Sequence, residues 1–265
     1  MNLLPALATT PHVTLLTAVA ALAYAVLAWA HPRMSSGQIR AVLASAWLLH
    51  LLVLLLTLFE QPARFGFAPA LSFTAWLVLT VYALESRLYP QLQARWTLAA
   101  LGAVALLLAL AFPGQRYPAV HSIWLPLHWA LGIASYGLVA AAVLHAWLMQ
   151  RAETSMRQGA LPDTALPLLT LERLTFRLLT AGFVLLSATL LAGWWISQDF
   201  VRDWMWSHKT AFTALSWLTL ALLLWGRWRL GWRGHVAARM LYAGAGLLLL
   251  GYAGSRFVLE VLLRV

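Results

Sequence analysis

The chain has 265 residues, 62% hydrophobic and only 10% charged, with a mean hydropathy of +0.78, where a soluble domain is about 45–50% apolar. A water-soluble globule and an intrinsically disordered chain are therefore both excluded. The absence of cysteine removes disulfide scaffolds, iron–sulfur ligation and Cys-zinc sites. Lys and Arg number 18 against 8 Asp and Glu, a formal charge of +10; in a chain this apolar the excess reads as loop charge that orients membrane spans, not as a nucleic-acid surface.

A spanning helix needs roughly 20 mostly apolar residues, and the sequence predicts an all-α polytopic membrane protein. It forms one membrane domain over 1–265 with about eight spans, at 12–30, 41–59, 67–84, 96–112, 121–149, 178–198, 210–226 and 236–255. The first lacks a basic leader and a small-residue cleavage site before Arg33, so it is expected to persist as a span. Counting basic residues on alternate sides puts twelve on one (Arg33 and Arg40 through Arg227, Arg229, Arg233 and Arg239) and six on the other (Arg64, Arg116, Arg202, Lys209, Arg256, Arg264). The positive-inside rule then predicts both termini outside, in the periplasm of a diderm bacterium, with the chain in the inner membrane. The one sizeable loop, about 150–177, ends in LPLLTLERLTFR, which reads either as a short helix on the inner surface or as a continuation of the next span. No inverted duplication of the transporter kind is visible.

Burying an ionised side chain in a bilayer costs at least about 2.5 kcal/mol, so intramembrane ionisable residues are the default functional suspects. Acidic residues (Glu60, Glu85, Asp199, Glu260) stay near span ends, which leaves histidine. His50 lies in span two, roughly 14 Å along the helix from its inner end, and reads equally as a neutral imidazole bonded to a neighbouring helix or as a ligand. His128 lies in span five, nearer the outer surface, with Gly132 and Ser135 on its face and Tyr136 beside it; small residues there admit a neighbouring helix or a flat ligand. Two histidines on different helices suit axial ligation of haem iron, with His50 and His128 as the metal ligands. His12, His121 and His208 at the outer surface, and His31, His145 and His235 at the inner one, read as interfacial polar residues. No HExxH, phosphate loop or nucleophile elbow occurs, and no catalytic residue or independent enzymatic activity is assigned.

The outer segment GWWISQDFVRDWMWSHKT carries Trp194, Trp195, Trp204 and Trp206 beside Arg202, His208 and Lys209. That exceeds an interfacial aromatic belt and reads as a platform for a planar, acidic ligand. Arg256, with Glu260 one turn later, is either a self-neutralised pair or an arginine facing a ligand carboxylate. The inner GWRGHVAAR segment reads as a loop anchored on anionic headgroups.

The stretches PLHWALGIASYGL, LERLTFRLLTAGFVLLSATLLAGWW, SHKTAFTALSW, LLWGRWRLGWRGHVAAR and YAGSRFV cover most of the second half. In order, they resemble the integral-membrane cytochrome c assembly family of CcsA/HemX type, and most of all its YpjD-like bacterial inner-membrane branch. Trp204 to Lys209 falls in register with the family's WxWDPKExWxxxxW loop, with Trp217 at its last tryptophan, whereas Ser207 and His208 replace its acid and proline, and Trp225 stands where haem-lyase members carry histidine. The resemblance implies a haem-binding or haem-handling protein working with cytochrome c assembly partners in the lipid bilayer. His128 is the first position it carries over and His50 the second. The departures keep open a cofactor-free accessory subunit that retains the fold, and a small-solute exporter is a third reading.

Overall fold

The computed structural model describes residues 11–59, 64–88, 95–116, 124–159, 167–200 and 208–263. A backbone in lipid must satisfy its polar groups internally, so apolar stretches of this length become helices. The described residues form α1 (Pro11–Ala30), α2 (Ser36–Phe59), α3 (Phe67–Leu88), α4 (Arg95–Ala111), α5 (Trp124–Arg157), α6 (Leu168–Phe200), α7 (His208–Leu230) and α8 (Gly234–Leu249). After α8 the helix continues through π-helical Leu250–Gly254, one α-turn at Ser255–Phe257 and π-helical Val258–Leu263. Seven of the helices are long and apolar enough to cross a membrane, and the eighth, α4, is a shorter apolar helix. About eight apolar helices, seven of them candidate spans, are thus present among the described residues, as the all-α polytopic reading expects.

Two features of the described residues differ from the sequence reading, a helix start and a strand pair. LERLTFR is no separate surface helix: it is the first turns of α6, whose Glu172 and Thr175 are buried by its neighbours. The chain also closes one antiparallel strand pair, β1 (Arg64–Phe65) with β2 (Gln115–Arg116), Arg64 opposite Arg116. Two residues per strand carry no readable alternation, so this pairing has no signature in the sequence.

Local chemistry fixes the helix ends. Ser35 and Gln38 form a reciprocal capping box at the start of α2, the Gln38 N–H donating to Ser35 Oγ (3.3 Å) and the Ser35 N–H to Gln38 Oε1 (2.8 Å). Within the apolar stretches Thr17, Thr57, Thr175 and Thr189 each donate to the carbonyl four residues back, which satisfies their hydroxyls without another helix.

The described residues divide into two compact units, one of residues 11–79, 95–116 and 256–263, the other of residues 80–88 and 124–255. In the first, α1 packs on α2 and α4. Its centre is Tyr24, fully buried between Gly102 of α4, where a Cβ would stand 3.0 Å from the tyrosine ring, and the edge of the His50 ring. In the second, α5 lies along α6 and α7 along α8 around Val139, Ala142, Leu179, Leu220 and Leu241. Hydroxyls join these helices: Ser135 donates to the Gly182 carbonyl (3.0 Å), Ser216 to the Gly244 carbonyl (2.8 Å), and Tyr136 to the Leu248 carbonyl, where the last helix widens from α to π spacing.

Candidate functional site

His128 sits near the start of α5, half-buried, with its Nδ1 3.0 Å from the Thr189 carbonyl of α6. A carbonyl can only accept, so Nδ1 carries the proton and Nε2 is left with the lone pair. That is the arrangement metal-ligating histidines adopt, one nitrogen donating to a fixed acceptor and the other free to bind. The small residues beyond His128 are spent on helix packing: a Cβ on Gly132 would meet the Thr189 methyl at 3.5 Å, and Ser135 is bonded to Gly182. Of the two occupants the sequence allowed for this face, the neighbouring helix takes it.

Trp194 and Trp195, one to two turns after Thr189, are exposed at 53% and 60%. His208 and Lys209 open α7, which is seated by Thr213 on Gly251 of the π-helical segment. Trp217 donates from Nε1 to Ser187 Oγ (2.9 Å) and stacks on Phe183, so this motif tryptophan fastens α7 to α6. Trp204, Trp206 and Arg202 lie outside the described residues.

His50 belongs to the first unit and is fully buried. Its Nε2 is 2.9 Å from Ser72 Oγ of α3, its ring meets Tyr24 edge-on, and its Nδ1 has no hydrogen-bond partner. The bond to a neighbouring helix that the sequence allowed is present, and one orphan nitrogen remains beside it. In the same unit Arg256 donates to Gln115 Oε1 of β2 (3.2 Å), while the Glu260 carboxylate lies over Gly66, where a Cβ would come within 2.8 Å of it. Among the described residues no group of three or more His, Asp or Glu converges as a metal site.

A family model described as "Cytochrome C assembly protein" matches residues 35–263. The chain belongs to this cytochrome c assembly family. Among its relatives, an uncharacterised 28.8 kDa protein of Azospirillum brasilense is 34% identical over 148 residues, 53% of this chain and 54% of that one. The inner membrane protein YpjD of Escherichia coli K12 is 30% identical over 51% of this chain and 52% of its own. The chain thus spans about half the length of these two relatives. The cytochrome c biogenesis protein CcsA of Prochlorococcus marinus is 26% identical over 84% of this chain and 82% of its own. No solved structure matches. Seven helices among the described residues long and apolar enough to cross a membrane, and membership of the cytochrome c assembly family, in its YpjD-like branch, make this a multi-pass protein of the bacterial inner membrane.

One pair in this family member was not anticipated. His145, read from the sequence as an interfacial polar residue, is 1% exposed, with Nδ1 donating to the Ala141 carbonyl (2.8 Å) and Nε2 2.8 Å from Glu85 Oε2. With Nδ1 committed to the carbonyl, Nε2 is the ring nitrogen that faces the carboxylate, and the two buried groups form a close polar contact. The two residues lie sixty positions apart on α3 and α5, and no local pattern links them.

Proposed function

We propose that the chain binds and presents haem in cytochrome c biogenesis, working with assembly partners and not as a self-sufficient enzyme. The observation that carries this reading is the fixed tautomer of His128, whose Nε2 lone pair suits a haem iron. The family supports it at the coarser level, since relatives bear the name cytochrome c biogenesis protein. Haem, when bound, supplies a Lewis-acidic iron in a flat apolar ring that carries two carboxylates. In the second unit, His128 would donate its nitrogen, the exposed Trp194 would offer a stacking face, and His208 and Lys209 would pair with carboxylates, while the sequence adds Trp204 and Trp206 as further candidate indoles. Taken by itself, the first unit holds a second candidate pair for such a ligand, the orphaned Nδ1 of His50 as an iron ligand and the Arg256 guanidinium as a carboxylate partner. With the arginine-rich side facing the cytoplasm, the tryptophan segment faces outward.

The second reading, a cofactor-free accessory subunit, is motivated by Ser207 and His208 at the acid and proline positions of the loop motif. An absorption spectrum of the detergent-purified protein after addition of haem decides between them. A Soret band that shifts on binding, at about one haem per chain, supports haem handling. A protein that takes up no haem selects the accessory reading.

A further inference from the structure

The second unit holds a cavity of about 640 Å³ lined by Glu172, Arg173, Phe176, Arg177, Arg227 and Arg233 and walled by Leu169, Thr180 and Ala181. Its construction is legible. On α6, residues 169, 172, 173, 176, 177 and 180 follow the three-and-four spacing of a single helix face. At the end of α7 the chain turns at Gly231 (φ +68) and folds back, the Trp232 N–H bonding to the Gly226 carbonyl and its ring lying on Gly226, where a Cβ would stand 2.4 Å from it. That fold sets Arg233 beside Arg227. Glu172, itself buried, is ion-paired with Arg227 and lies 3.7 Å from Arg233, and Arg227 rests over the Phe176 ring.

Four arginines face one glutamate, so the cavity carries net +3. Arg173 and Arg177 are exposed and have no ion-pair partner among the described residues. Guanidinium forks match phosphate oxygens in geometry and charge, and a volume of this size suits a small-molecule group, which pockets of about 300–1,000 Å³ accept. From the cavity the same face of α6 continues toward the membrane interior as exposed Ala181, Val184 and Leu191, an apolar track of the kind an acyl chain covers. A soluble phosphate has no use for such a track. We propose that this cavity is a binding site for the phosphate headgroup of an anionic phospholipid, in the leaflet on the arginine-rich side.

Native mass spectrometry of the full chain in detergent, titrated with phosphatidylglycerol or phosphatidylcholine, tests it. Bound phosphatidylglycerol is expected to exceed phosphatidylcholine about tenfold at equal concentration. Arg173→Gln with Arg177→Gln should remove that preference, because these are the cavity's guanidiniums not committed to Glu172, and the fold should hold because neither has an ion-pair partner among the described residues. Arg229→Gln, an exposed arginine outside the cavity, should leave it unchanged. Excess glycerol 3-phosphate should not displace the lipid. Equal binding of the two lipids by the wild type overturns the proposal, as does an equal loss in the Arg229→Gln control, which would signify general surface charge. Displacement by glycerol 3-phosphate also overturns it, in favour of a soluble phosphate ligand.

Discussion

His128 and His145 stand on one helix, seventeen residues apart, and both donate Nδ1–H to a backbone carbonyl. They differ in what faces the other nitrogen. At His145 the acceptor is its own helix, four residues back, and Nε2 is occupied by Glu85 in a site closed to solvent. At His128 the acceptor is the next helix, the ring is half-buried, and the lone pair on Nε2 is not committed to an acid. The same tautomer therefore stands in two settings: at His145 it belongs to a polar clamp between α5 and α3, and near the start of α5 at His128 it leaves a lone pair not taken by an acid. The difference lies in the neighbour, not in the histidine.

The largest expected effect breaks the clamp. Replacing His145 with Ala leaves the Glu85 carboxylate buried without its partner, a loss of about 3–5 kcal/mol by the behaviour of buried pairs. The melting temperature in detergent should fall by many degrees. Glu85→Gln, which can still donate to Nε2, should lose much less. Equal melting of wild type and His145→Ala would contradict the clamp. His50→Ala is expected to cost about 2–4 kcal/mol, because it opens a cavity beside Tyr24 and strands the buried Ser72 hydroxyl. A comparable loss in Ser72→Ala alone would show that the hydrogen bond dominates that cost, while a loss near zero would assign it to packing.

Tyr136→Phe should cost about 1 kcal/mol, the value of one hydrogen bond to the Leu248 carbonyl, read as a small drop in melting temperature with the spectrum of the fold unchanged. Smallest is Trp194→Ala. Its side chain is exposed, so melting should not move, whereas haem uptake should weaken several-fold if the indole is a stacking face. A variant that melts earlier yet takes up haem normally would assign Trp194 to packing alone.

Much of the fold was legible because lipid imposes a coarse, length-based code: an apolar run of about twenty residues must be a helix. The small-residue face at Gly132 and Ser135 was readable for the same reason, since only a small side chain permits close helix approach. What the sequence did not reveal is pairing across distance. Glu85 and His145, Ser72 and His50, and the two-residue strands at Arg64 and Gln115 meet only through tertiary packing, and nothing in either partner's local sequence names the other. The role of LERLTFR was ambiguous because Glu172 is neutralised by Arg227, 55 positions later, which turns a seemingly amphipathic surface segment into a packed helix start.

The most direct measurement is a haem titration of the purified wild type, followed by absorbance at the Soret band, against His128→Ala and His128→Gln at matched folded yield. A shifted Soret band in the wild type, lost in both variants while their melting temperatures stay within a few degrees of it, is the predicted result. An unchanged band in folded His128→Ala would contradict the account.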